Sequence, residues 1–213
     1  MSADTGYERL REAILAGTLQ PNERLVEAEL VSSLGVPRAA VRTAIDRLSH
    51  EGLVERERNR GAKVRKVGDE EAVEILQARS VLEGLAARTA AERATDDDIA
   101  DLRRIVSAMR ERLDAEDLLG ASERNSALHA RILAIADHRT VARLVSSLNS
   151  QIVRFQYRTI LVPGRAARSF AEHSAIFEAI AAGDPDAAES AMREHLDHVG
   201  EALREHARSA SPV

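Results

Sequence analysis

The sequence predicts a mainly α protein in two parts. Residues 1–67 form a small helical unit closed by a β-hairpin, and residues 68–213 form an all-α antiparallel helical bundle. Three observations carry this prediction. Apolar residues recur at helical spacing along most of the chain. The loose alternation of a strand is confined to "LVERERNRGAKVRKV" at 53–67. From Asp69 onward the strand signals stop, and Gly, Pro and capping residues punctuate six helical segments.

The first helix is expected over 7–17, with Tyr7, Leu10 and Ile14 on one face and Gly17 ending it. "TLQPNERL" reads as a turn around Pro21-Asn22. A short helix over about 26–34 is broken by Gly35, and a third runs from about Pro37 to His50. That third helix lines up Val41, Ala44, Ile45 and Leu48, and Gly52 ends it. The hairpin follows, turning at Arg58-Asn59-Arg60-Gly61. Six further helices are expected over 69–92, 95–115, 117–136, 139–161, 165–182 and 185–208. Thr95-Asp96-Asp97-Asp98 has the form of a capping box. Gly183-Asp184-Pro185 orders a C′ glycine, an N-cap aspartate and an N1 proline. Pro163-Gly164 separates the fourth and fifth of these helices, and the linker near Gly68 is short.

Composition narrows the chemistry. With no cysteine, disulfides, thiolate metal sites and cysteine nucleophiles are excluded. Aromatics are only 2% of residues, so the core must be built from Leu, Ile, Val and Ala. The apolar runs are too short to span a bilayer and the N-terminus lacks an apolar signal segment, which reads as a cytoplasmic protein with no membrane partner. The net charge of −5 is unevenly spread. Residues 37–67 carry nine basic and four acidic side chains, a local +5, including the only two lysines, Lys63 and Lys66. A basic segment on an acidic chain suggests a polyanion contact, although a solvated charged face is the alternative.

Helix, glycine-containing turn, helix and basic hairpin is the order of a winged helix-turn-helix, which binds double-stranded DNA. The third helix would bury its apolar stripe and present Arg38 and Arg42 from its N-terminal half. Arginine there can grip guanine bidentately or hold phosphate. Thr43, beside Arg42, joins the candidate contacts. Arg60 and Lys63, placed at the hairpin tip, would reach the backbone or minor groove, with Gly61 allowing close approach. The stretch "LREAILAGTLQPNERLVEAELVSSLGVPRAAVRTAIDRLSHEGLVERERNRGAKV" resembles the DNA-binding domain of GntR-family bacterial transcription regulators over about residues 7–67. The resemblance implies operator contact by Arg38, Arg42 and Gly61. Where that family has Ser/Thr-Arg-Thr-Pro, this chain has Pro37-Arg38-Ala39-Ala40, which removes an N-cap hydroxyl.

In the bundle, His129, His173 and His195 each lie mid-helix beside apolar neighbours, unlike His50, His138 and His206 near helix ends. Facing helices of a bundle collect metal ligands in this way. Three imidazoles and an oxygen suit Zn²⁺, Ni²⁺ or a related divalent ion. Their spacings match no local metal motif, and three hydrogen-bonded core histidines are the alternative. "EILQARSVLEGLAARTAA", "RNSALHARILAIADH" and "SFAEHSAIFEAIAAGDPDAAESAMREHL" are similar to the effector-binding FCD domain of the FadR branch of that family, in its six-helix VanR-like form. The resemblance implies a metal set of Asn125, His129, His173 and His195, with Asn125 standing where the family has Asp. An amide oxygen carries no charge, so the expected site is weaker, or is completed by a carboxylate effector or water.

The resemblance also places Arg79 on the wall of an effector pocket and implies small organic acids as the effector class; Arg154, which lies on a bundle helix, is a further candidate. For Arg79 the alternative is a surface pair with Glu83 four residues on. The expected whole is a homodimeric regulator, not an enzyme, whose operator binding responds to a small acid. A metal-dependent hydrolase and a constitutive DNA-binding protein with structural histidines are the competing readings; the first lacks an HExxH-type base.

Overall fold

The computed structural model describes residues 3–57, 61–160 and 162–210, except for side chains at 3, 153–154, 156–160 and 209–210. Packing divides the chain into two compact units: Met1–Val67 with Asn149–Val153, and Gly68–Leu148 with Arg154–Val213.

The N-terminal unit contains α1 (Ala3–Leu15), β1 (Arg24–Leu25), α2 (Glu27–Leu34), α3 (Arg38–His50), β2 (Val54–Glu57) and β3 (Gly61–Val64). The three strands form an antiparallel sheet with β3 in the middle. The α3 stripe is buried as its spacing requires, with Val41, Ala44 and Leu48 at zero exposure. It packs with Leu10 and Ile14 of α1, Leu30 of α2 and Val54 and Val64 of the sheet. Gly35 closes α2 with φ 62°, a left-handed conformation that glycine adopts without strain.

Two elements depart from expectation. Helix α1 begins at Ala3 and passes through Gly6, which by propensity discourages a helix. A Cβ on Gly6 would lie 3.3 Å from Ala40 Cβ, so α1 crosses α3 closely there, and packing carries the helix through the glycine. The turn segment after Pro21 also supplies β1, whose Arg24 and Leu25 pair with Lys63 and Ala62. A two-residue strand has no periodicity to read; its partner defines it.

The second unit is a bundle of α4 (Asp69–Arg93), α5 (Asp96–Asp114), α6 (Leu118–Ala136), α7 (Arg139–Ile160, apart from its Asn149–Val153 stretch), α8 (Arg165–Ala181) and α9 (Pro185–Ala210). Helix α4 is central, packing on α6, α8 and α9, while α5 lies against α6 and α8. Its buried Ala86, Ala87, Ala90 and Ala91 keep these neighbours close. The cap signals hold. Thr95 Oγ1 accepts from Asp98 N while Asp98 Oδ2 accepts from Thr95 N, and Asp184 Oδ1 accepts from Ala187 N at 3.0 Å.

Core burial and surface exposure should separate cleanly in stability. Leu48→Ala, at a position with no exposure, should cost about 2–5 kcal/mol in urea denaturation. Leu119→Ala, at a position 60% exposed, should stay within about 0.5 kcal/mol of the parent.

Candidate functional site

Three helices of the bundle bring the mid-helix histidines together. His129 of α6, His173 of α8 and His195 of α9 are all buried. Their ring centroids lie 4.3–5.5 Å apart. One nitrogen from each falls within 4.8 Å of the others, close enough for a single metal ion.

The backs of the rings explain the orientation. His129 Nδ1 lies 2.5 Å from Glu83 Oε2 of α4, and His195 Nδ1 lies 2.7 Å from Glu172 Oε2 of α8. A carboxylate acceptor puts the ring proton on Nδ1 and leaves the Nε2 lone pair to the interior, the arrangement that orients histidine metal ligands. His173 is held more loosely, its Nδ1 3.5 Å from Ser169 Oγ, and its Nε2 is buried with no hydrogen-bond partner.

The protonation states suit the same role. Burial, reinforced by the neighbouring imidazoles, pushes the His173 pKa well below its usual 6.5. Burial and the nearby His129 and Arg165 do the same to His195. Burial of Glu83 opposes its ionisation, but Arg79 and His129 outweigh this and hold its pKa down to about 2. The cluster therefore pairs neutral His173 and His195 with an ionised Glu83.

Asn125, one turn before His129 on α6, lines the same cavity. Its Oδ1 is buried with no hydrogen-bond partner. Two buried orphan acceptors, Asn125 Oδ1 and His173 Nε2, together with two oriented imidazoles, fit a divalent ion that takes nitrogen and oxygen donors. The acids of the cluster are engaged elsewhere, since buried Glu83 and part-buried Glu172 both sit on the Nδ1 side of the rings.

Arg79 lines the cavity and is buried, but its Nε donates to Glu83 Oε1 at 2.7 Å. The pocket position and the i,i+4 pair are both present, the pair buried rather than on the surface. Four further residues complete the site; sequence reasoning passed over three of them and read Glu83 only as a surface partner of Arg79. Glu83 and Glu172 hold the rings, and Arg165 of α8, 3% exposed, holds Glu172 through Nη2 at 2.9 Å. His198 Nδ1 lies 3.0 Å from Glu172 Oε1. Adjacency was the available signal: Glu172 precedes His173, and His198 lies one helical turn beyond His195. The Arg154 side chain lies outside the described residues.

In the N-terminal unit, Arg38 and Arg42 project from α3 with side chains 67% and 58% exposed. Both Nε atoms donate to Glu27 on α2, at 2.7 and 3.0 Å. Hydrogen bonds from Arg42 and Arg38 hold the Glu27 pKa below its usual value. Thr43 Oγ1 donates back to Ala39 O at 3.1 Å. Gly61 opens β3 with φ 87° and nothing within 4 Å of where a Cβ would sit. Lys63 is not at the hairpin tip as expected. It stands within β3 opposite Glu55 and pairs with Glu57 at 2.9 Å and Glu55 at 3.4 Å. Arg60 lies outside the described residues.

Comparison with known proteins agrees with both units. Residues 3–64 match the family described as bacterial regulatory proteins, gntR family, and residues 74–198 match the FCD domain. An HTH-type transcriptional regulator in an unstable DNA locus of Streptomyces ambofaciens is 30% identical over 208 residues, covering 97% of this chain and 86% of that protein. The HTH-type transcriptional regulator LutR of Bacillus subtilis is 30% identical over 210 residues, covering 88% and 94%. The HTH-type transcriptional repressor RspR of Escherichia coli is 26% identical over 199 residues, covering 93% and 87%. Among solved structures, E. coli McbR/YncC superposes with a TM-score of 0.77 at 19% identity, covering 96% of this chain and 98% of that one. A putative GntR regulator from Rhodococcus sp. RHA1 gives 0.72 at 24% identity, covering 99% of both. The chain belongs to the GntR family of bacterial transcription regulators, with an N-terminal helix-turn-helix domain and a C-terminal FCD domain.

Proposed function

We propose that this regulator binds operator DNA as a homodimer and releases or grips it in response to a small organic acid, with a divalent ion held in the same cavity. The observation that carries the reading is the convergence of three buried histidines whose Nδ1 sides face supporting groups, beside the orphan Asn125 oxygen. His129, His173, His195 and Asn125 would hold Zn²⁺ or Ni²⁺, borderline ions that accept imidazole and neutral oxygen. The ion would supply a positive centre that attracts a carboxylate. Two DNA-binding units would read half-sites about 34 Å apart. The effector shifts operator affinity only by its differential affinity for the two arrangements of those units.

On the DNA side, Arg38 and Arg42 would exchange Glu27 for bases or phosphates, with Thr43, Arg60, Gly61 and Lys63 contributing around them. Glu27 holds the two guanidiniums in one place before DNA arrives, which limits the side-chain entropy lost on binding.

Operator fragments selected with the parent protein test this directly. Arg38→Ala/Arg42→Ala should weaken binding at least about 30-fold, since each bidentate contact contributes about 1–3 kcal/mol. Unchanged affinity would refute the DNA reading. The parent should bind zinc in competition with a chromophoric chelator, and His173→Ala should abolish that binding.

Acid should destabilise the protein. His173 and His195 stay neutral in the fold at pH values where the unfolded chain protonates them, so stability falls as pH drops below about 6.5. Glu83, with its pKa lowered from 4.5 to about 2, adds a second loss between those values. The urea midpoint of metal-free protein should therefore decline from pH 7 to pH 5 and fall again below pH 4.5. A flat profile across pH 7–5 would contradict the neutral-histidine assignment.

A further inference from the structure

We propose that Arg165, rather than Arg79, is the anion anchor of the bundle cavity, and that it takes the carboxylate of an acid of about two to four carbons. This rests on the cavity being the effector site.

The unsatisfied atoms around the cavity are of two chemical kinds. Asn125 Oδ1 and His173 Nε2 offer lone pairs, and a metal ion satisfies both. Arg165 Nη1 is also buried with no hydrogen-bond partner, and it is an N–H donor. A metal ion cannot satisfy a guanidinium; the two cations repel. What meets both needs is an acceptor carrying negative charge, with one face on the guanidinium and the other toward the histidine cluster.

Local charge points the same way. The four residues that would hold the ion are neutral or carry only imidazoles, so the ion's charge is not offset by any of them. Glu83 is spent on Arg79 and His129, and Glu172 is shared among Arg165, His195 and His198. Arg165 adds its own positive charge at the cavity wall. An exogenous anion is the missing counter-charge. Arg79 and Arg165 are both buried and each is paired with a carboxylate, Arg79 Nε with Glu83 and Arg165 Nη2 with Glu172; what distinguishes Arg165 is its buried, unpartnered Nη1.

Size sets the ligand class. The cavity measures about 70 Å³, where a single water needs about 10–15 Å³ by the same measure. That is room for about five water positions, the span of a small mono- or dicarboxylate. Met109, Leu113, Phe170 and Val199 close the remaining wall with apolar surface suited to a short carbon chain.

Calorimetry on the full-length protein tests the anchor. Acetate, lactate, malonate and succinate are titrated into chelator-stripped protein, then into protein loaded with one equivalent of zinc, with malonamide as the neutral control. At least one acid should bind the stripped protein while malonamide does not, because Arg165 acts without the metal. Zinc should raise the affinity for that acid tenfold or more. Arg165→Lys keeps the charge but loses the planar fork, and should weaken acid binding to the stripped protein about 10-fold or more. Binding of none of the acids to stripped protein, or equal binding by Arg165→Lys, overturns the proposal. Should Arg165→Lys fail to fold by circular dichroism, the acid-against-malonamide comparison on stripped parent protein decides. Operator binding is read separately. Acid binding that needs Arg165 but leaves DNA affinity unchanged upholds the anchor and defeats the regulatory reading. DNA release by an acid that binds Arg165→Lys equally well does the reverse.

Discussion

A single buried carboxylate organises the bundle. Glu83 is 1% exposed and lies between Arg79 on its own helix and His129 on α6. Removing a carboxylate from water costs several kcal/mol, and the penalty is met only when a positive partner and hydrogen bonds accompany it. Arg79 supplies the charge, and the imidazole N–H supplies a further hydrogen bond. The consequence reaches beyond the pair, because it sets which nitrogen of His129 carries the proton. Loss of either partner would leave a charge buried and uncompensated. The ring would then lose the contact that turns its lone pair inward.

Glu172 repeats the device from the opposite wall, shared by Arg165, His195 and His198. The two carboxylates, Glu83 buried and Glu172 part-buried, bracket the histidine cluster, and each is met by a guanidinium and an imidazole. The interior that results is polar only at defined atoms. Packing of α4 on α6, α8 and α9 through small residues brings one ring nitrogen from each of the three histidines within 4.8 Å of the others.

The N-terminal unit handles charge differently. Its basic surface is mostly paired in the absence of DNA: Arg38 and Arg42 with Glu27, Lys63 with Glu55 and Glu57, Arg56 with Asp46 and Arg47 with Asp4. These pairs are largely exposed and contribute little to stability. Their effect is on readiness, since a side chain already held in one geometry loses less entropy when it changes partners. Among the described residues, these basic side chains of the segment thus stand in largely exposed ion pairs.

Periodicity and capping determined most of the architecture. The α3 stripe, the Thr95 capping box and the Gly183-Asp184-Pro185 break were legible because helix spacing and orphan backbone groups are local properties. The histidine positions were legible as residue types. That they converge was not, because separations of 44 and 22 residues encode no distance. Helix α1 through Gly6 and the two-residue β1 escaped for a related reason: a neighbour across the fold decides both. So did the roles of Glu83, Glu172 and Arg165. In sequence each is an ordinary charged residue on a helix, and only burial makes its charge costly enough to dictate a partner. The sequence by itself determined which segments are helical and which side chains could act. Tertiary structure decided which of them meet, because the energy of a charge depends on whether water can reach it, and that is settled by packing.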